Sequence, residues 1–392
     1  MSKAGQNCPS RMKVDVVVVG AGVSGVPAAV AAARAGAKTL LLEQRPAAGG
    51  TLSASLGFPI CGLFENDVSN PPNLLNGGLS AELFSIISRE IIDPVFAMGK
   101  VFVCRCPIAL FESIYAGWLD VENITTHFGV RNISVEVQSQ TITTLSFQTL
   151  EDTTQICEVG QVIDCTGSGE IIQQSGAKQI VPETLPLAGF SVRLKGVEDD
   201  EMLPVKVPYL LRKAADEGEL PAYCAFTHFS PLEDGAGLCK FSLPAEISRA
   251  EAEQTARRAI ALLQKKIPAF QSVDIVRFSP SILQREGIRL KGQSILTGDD
   301  VRNGRSFEDG IARGGWPVEY WDAEKGIQYE YIENGLSYDI PLGALRSENI
   351  KNLWAAGRLL SAESAALASA RVMGAAIATG EAAGRAAAME CL

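Results

Sequence analysis

The segment Val16–Ala29, VVVVGAGVSGVPAA, constrains this chain more than any other. Four consecutive valines read as a strand buried on both faces, predicted over Asp15–Gly20. That strand runs into the glycine pattern Gly20-x-Gly22-x-x-Gly25. Ser24–Ala35 follows with small residues suited to a helix, and Pro27 falls in its first turn, where a missing N–H costs little. Lys38–Glu43 (KTLLLE) is a second buried strand. A glycine pattern set between strand and helix in a βαβ unit is a dinucleotide-binding fingerprint. Gly20 permits the tight turn, Gly22 lets the backbone approach a pyrophosphate, and Gly25 lets the helix pack closely on the strand. Val23 and Ser24 belong to the helix start, whose N–H groups and dipole favour phosphate. Glu43, at the end of the second strand with Gln44 and Arg45 after it, is placed to accept from ribose hydroxyls; a 2′-phosphate would want Arg.

The apolar stretch Val14–Leu42 resembles a membrane span in composition, but four glycines, Arg34 and Lys38 break it. No membrane partner is expected. The formal charge is −10, which disfavours nucleic acid, whose binding rests on neutralising phosphates. Met1–Arg11 is polar, so no secretory signal is expected. Nine cysteines without framework spacing read as reduced thiols, and the chain is expected to be cytoplasmic.

Further along, Ala81–Ile92 and Leu110–Leu119 have helical spacing, and Val101–Cys104 reads as a strand. Ile124–Val137 and Thr141–Phe147 alternate as antiparallel strands. Gln161–Asp164 is a short buried strand ending at Thr166-Gly167. Strands are expected near Phe190–Leu194 and Cys239–Leu243, with a helix over Arg249–Lys265. Asn352–Met389 reads as a strand, NLWAAG, followed by one alanine-rich helix.

The glycine turn alone leaves NAD and FAD open. Gly49-Gly50-Thr51 adds a second flexible loop, Val162–Gly167 ends in a Thr-Gly turn, and Asn352–Arg358 runs into another glycine turn before Arg371-Val372-Met373-Gly374. With these residues the chain resembles the FAD-dependent oxidoreductases whose FAD domain is of the glutathione-reductase type. Arg285–Asp322 resembles that family too, through its Arg-Glu-x-x-Arg run and Leu-Thr-x-x-Asp turn. The resemblance implies an α/β fold, with a Rossmann-like FAD-binding domain built from both chain ends (1–170 and 350–392). An inserted α+β substrate domain (171–349) would contain an antiparallel sheet. It also implies that FAD touches Gly20, Gly22, Val23, Ser24, Gly25, Glu43, Gln44, Arg45, Gly50, Thr51, Thr166, Gly167, Gly357, Arg358, Arg371, Met373 and Gly374. Val130 resembles the position whose backbone meets adenine.

Disulfide reductases of this type place a cysteine pair after Gly-Gly-Thr; here Leu52-Ser53-Ala54-Ser55 follows, and Cys61 stands alone. A second glycine fingerprint for NAD(P)H is missing, and Gly357-Arg358 stands where aromatic hydroxylases usually show Gly-Asp. A flavin brings the redox chemistry, so the expected activity is hydride transfer between a small organic substrate and flavin N5. The rivals are a flavin monooxygenase and a non-catalytic dinucleotide-binding protein. His228 is the candidate general base, while His127 reads as structural. Arg285 and Arg289 are candidates for a carboxylate clamp, with pairing to Glu286, Asp299 or Asp300 as the alternative. Arg371 faces the flavin or pairs with Glu363. Cys61 is a candidate flavin-side thiol, and Trp316, Tyr320 and Trp321 are candidate pocket walls.

Overall fold

The computed structural model describes residues 10–392, so the polar start read as lacking a signal lies almost wholly outside it. β1 (Ser10–Val19) is enclosed on both sides: Val16 and Val18 enter one core, Val17 and Val19 another. Helix α1 (Gly25–Arg34) and β2 (Thr39–Glu43) complete the βαβ start with β3 (Ile124–Phe128). Helices α2 (Gly78–Glu90) and α3 (Ile108–Leu119) cover the α1 side. β4 (Arg131–Gln138), β5 (Thr141–Gln148) and β6 (Thr154–Asp164) follow.

The expected single strand Ile124–Val137 is two strands. Gly129 takes φ 71° between them, so β3 pairs in parallel with β2 while β4 turns into an antiparallel meander with β5. The sheet order is β3-β2-β1-β6-β5-β4, with the first four strands parallel.

After β6 the chain builds a second sheet from β7 (Ala188–Lys195), β8 (His228–Pro231), β9 (Ala236–Leu243) and β10 (Asp274–Phe278), in the order β8-β9-β7-β10. Strand residues alternate between faces. Phe190, Val192, Cys239 and Phe241 pack on helices α4 (Leu203–Asp216) and α5 (Arg249–Lys266). Ser248 and Glu251 form a capping box that starts α5. The opposite face carries Gly189, Ser191, Lys240 and Ser242, with Lys240 opposite both Ser191 and His228.

β11 (Val318–Asp322) follows, and β12 (Leu353–Ala355) returns to the first sheet, parallel to the second half of β6. Leu296, Val301, Val318, Tyr338 and Leu345 join the first core, not that of the second sheet. The stretch 171–349 therefore holds residues of both cores. The alanine-rich end is two helices, α6 (Ser364–Ala370) and α7 (Met373–Met389), because Val372 is extended between them. The small residues of α7 let it approach α1 to backbone distance: a Cβ at Gly384 would stand 2.0 Å from the Ala28 carbonyl oxygen. Among the described residues no helix is long and apolar enough to cross a membrane, and the eight described cysteines are free.

Candidate functional site

Register brings the functional loops together. Val19 lies opposite both Leu42 and Asp164, and Asp164 opposite Ala355, so β1, β2, β6 and β12 end at one level. Ligands of open α/β sheets bind beyond such carboxyl ends. A cavity of about 430 Å³ lies there. Gly20, Gly22, Val23 and Ser24 line it from the first turn, with Glu43, Gln44 and Arg45 from the end of β2. Gly50 and Thr51, Thr166 and Gly167, Gly357 and Arg358, and Arg371 and Met373 complete that wall.

Gly25, Val130 and Gly374 do not line it. A Cβ at Gly25 would stand 1.7 Å from the Gly20 oxygen, which leaves Gly25 to helix-on-strand packing. Val130 is fully buried and its N–H donates to the Glu43 carbonyl at 3.1 Å. Gly374 presses on Gly62, whose carbonyl oxygen would be 2.1 Å from an added Cβ.

Glu43 accepts from the Ala21 N–H at 2.7 Å and the Arg45 N–H at 2.8 Å, one bond to each carboxylate oxygen. Each oxygen retains lone-pair capacity for a ribose hydroxyl. Gln44 donates to Glu170 at 2.9 Å, and Arg45 to Ser281 Oγ at 2.9 Å. Arg358 donates to the Gly167 carbonyl at 2.6 Å and to that of Gln284, tying the last strand to the Thr-Gly turn. Burial, then the Arg371 charge, lowers its guanidinium to about 10.

Sequence reasoning missed the group that shapes this turn. Asp164 is fully buried and accepts from Thr166 Oγ1 at 2.6 Å, Thr166 N–H at 3.0 Å, Ile171 N–H at 3.0 Å and Ile172 N–H at 3.1 Å. Burial outweighs these donors and raises its carboxyl. An acid closing an otherwise apolar strand, VID, was the available signal.

The residues present fit FAD. Gly22 and Gly50 meet backbone to backbone beside the start of α1, whose first N–H groups have no partner within the helix. Side chains are thus absent where a diphosphate would approach those donors.

The far end of the cavity lies under the second sheet. Phe58, Lys240, Arg285 and Glu319 line it. Lys240 Nζ is 4.2 Å from the Phe58 ring and 5.0 Å from the Trp321 ring, and the Arg285 guanidinium is 3.5 Å from Trp321. Glu319 accepts from Trp316 Nε1 at 3.0 Å and from Trp321 Nε1, and pairs with Arg371 at 3.5 Å. Burial pushes Glu319 up, but Arg371, Lys240 and the two indoles outweigh it and hold the carboxylate below its ordinary range. Burial, then the Arg285 charge, lowers Lys240 to about 8. Burial, then Arg371, lowers Arg285 to about 9.

The expected catalytic residues separate here. Arg285 lines the cavity, whereas Arg289 is 1% exposed, bonded to Glu286 and to the Ala362 carbonyl at 3.0 Å. The two arginines form no clamp, because residues 279–288 are irregular and strand begins only at Arg289. His228 is exposed on edge strand β8, bonded to Ser230 Oγ at 3.2 Å, and does not line the cavity. Arg371 pairs with Glu319, not Glu363, whose carboxylate accepts from the Gly298 N–H. Cys61 packs beside Trp316, and burial, then Glu319, pushes its thiol up to about 12. Lys240 and Glu319 went unread; the sign for Lys240 was one charge inside a buried strand, CKFSL.

A family model described as FAD dependent oxidoreductase matches residues 15–391. The alpha subunit of sarcosine oxidase from Corynebacterium sp. (strain U-96) is 53% identical over 49 residues, which is 12% of this chain and 5% of that protein. Among solved structures, a geranylgeranyl bacteriochlorophyll reductase-like protein from Thermoplasma acidophilum is 14% identical with a TM-score of 0.49, covering 97% of this chain and 78% of that one. An anhydrotetracycline hydroxylase from Streptomyces rimosus is 16% identical with a TM-score of 0.47, over 72% of this chain and 54% of its own.

Proposed function

Since the chain belongs to the family of FAD-dependent oxidoreductases, we propose that it moves a hydride between a small organic substrate and FAD, as a dehydrogenase or oxidase. FAD, when bound, supplies the two-electron acceptor and donor of that reaction. The observation that carries the reading is one continuous cavity from the Gly20–Gly25 turn to the polar face of the second sheet. One end offers backbone donors for a diphosphate. The other offers Lys240, Arg285 and Glu319 for a substrate, with Phe58 as an apolar wall; Trp321 backs the two cations, and neither it nor Trp316 nor Tyr320 lines the cavity. Gly20, Gly22, Glu43, Gly50, Thr166, Gly167, Gly357 and Arg358 would hold the cofactor, and Arg285 and Lys240 would orient the substrate. The cavity draws on the first core at one end and the second sheet at the other, which supports a cofactor unit and a substrate unit. Free thiols support a cytoplasmic protein.

Anaerobic mixing of the FAD-loaded protein with alcohols, amines and their carboxylated analogues tests this. Loss of the oxidised flavin's visible absorbance with one donor class is the expected result. Anaerobic reduction by NAD(P)H alone, followed by incorporation of oxygen into the organic molecule once dioxygen is admitted, would establish a monooxygenase instead. FAD that no donor reduces would leave a binding protein.

A further inference from the structure

The far end of the cavity carries more positive charge than its own contacts neutralise. Lys240, Arg285 and Arg371 converge there around one carboxylate, Glu319. Glu319 is already engaged by Arg371 and two indole N–H groups, and among the described residues no carboxylate forms a salt bridge with Lys240 or Arg285. Lys240 Nζ meets only aromatic faces among the described residues. Arg285 gives one N–H to the Leu187 carbonyl, and its flat face rests on Trp321. Its Nη2 side lies toward Gly189, another lining residue, where an added Cβ would be 3.7 Å from that nitrogen.

We propose that this end of the cavity is a binding site for the carboxylate of a small organic acid, held by Arg285 and Lys240. The proposal rests on the oxidoreductase reading and names its substrate class. A guanidinium stacked on an indole keeps its edge donors free and in one plane, the geometry that matches a carboxylate bidentately. Buried cations without partners are costly, so a compact anion relieves the site while a neutral molecule does not. Arg371 is held back by Glu319, so the attraction centres on the Arg285–Lys240 edge. Gly189 leaves room beside the guanidinium.

Acetate, acetamide and inorganic phosphate are the probes, since none needs to be turned over. Binding is read from the visible spectrum of the FAD-loaded protein and from the melting temperature of the FAD-free protein. Acetate is expected to bind, acetamide and phosphate much more weakly. Arg285→Met should weaken acetate by about 10- to 100-fold and Arg285→Lys by less, because a point charge replaces a fork. Lys240→Met should weaken it by about tenfold. Retained FAD uptake and cooperative melting show that each variant folds; should Arg285→Met fail to fold, Arg285→Lys and Lys240→Met carry the comparison. Equal binding of acetamide, equal binding of phosphate, or acetate binding unchanged in folded variants would overturn the proposal. A protein that binds acetate this way but takes up no FAD overturns the oxidoreductase reading alone.

Discussion

Gly22 and Gly50 face each other across the mouth of the cavity. A Cβ added at Gly50 would stand 2.6 Å from the Gly22 Cα, while one added at Gly22 would stand 3.7 Å from the Gly50 Cα. The second distance is an ordinary contact, so Gly22→Ala leaves the turn intact and fills the space a diphosphate needs. Gly25→Ala does the reverse, placing a methyl 1.7 Å from the Gly20 oxygen. Gly22→Ala is therefore expected to melt near the parent FAD-free protein and bind FAD about tenfold or more weakly, roughly 1.4 kcal/mol. Gly25→Ala is expected to fail in folding first. Circular dichroism melting and flavin absorbance separate the two.

Asp164 accepts four hydrogen bonds that shape the Thr166-Gly167 turn and the start of the short helix Glu170–Gln174 after it. An amide replacing one carboxylate oxygen must present its nitrogen either to the Thr166 donors or to the Ile171 and Ile172 N–H groups. Asp164→Asn is expected to cost about 2–4 kcal/mol in urea unfolding, because buried donors lose their acceptor. FAD affinity should fall with it, since the displaced turn lines the cofactor wall.

The buried pair Arg289–Glu286 separates structure from chemistry. Removing one partner strands a buried charge, so Arg289→Ala is expected to lower stability by about 3–5 kcal/mol. Replacing both, as Arg289→Leu with Glu286→Leu, should recover much of that loss, because apolar residues need no partner. Urea midpoints for the single and double variants decide it; a single variant of parent stability would show that the pair contributes little.

The parts of the site that could be read from sequence are those in which one short segment does the work. The valine run, the Gly20–Gly25 turn and Glu43 lie within one βαβ unit, so local spacing places them against each other. Lys240 and Glu319 lie far apart in sequence and come to the same cavity only because β9 and β11, which belong to different sheets, pack against it, a tertiary relationship that no local spacing carries. A four-residue spacing puts Arg285 and Arg289 on one face only in a strand or a helix, and the chain between them is neither. Gly129 was a local sign that β3 ends, but alternation on both sides of it reads as one strand.

Cys61 is chemically quiet where it sits. Burial, then the Glu319 charge, pushes its thiol up to about 12, and the thiolate is the reactive form. Acid precipitation of the loaded protein is expected to release all of its FAD. Iodoacetamide at pH 8 should alkylate Cys61 far more slowly than a free cysteine in solution, as peptide mass analysis would report. Flavin retained in the acid pellet would contradict this.

Lys240 sets the pH dependence of anion binding. Its neighbours are Arg285, Arg371 and Glu319 around the cavity, Cys61 beside Trp316, and His228 opposite it on β8. The ordinary lysine value is 10.5, and burial with the Arg285 charge brings it to about 8. An anion binds the protonated form better, so it raises that pKa and its binding is linked to proton uptake. Acetate affinity should therefore be fully present below pH 7 and decline as pH rises through about 8, toward the bound-state pKa. In Lys240→Met the fall near pH 8 should vanish, because the Arg285 guanidinium keeps its charge through this range. Cys61 stays neutral and Glu319 charged through this range, so neither supplies a step of the same sign. A profile that keeps its fall near pH 8 in Lys240→Met would assign the dependence to another group.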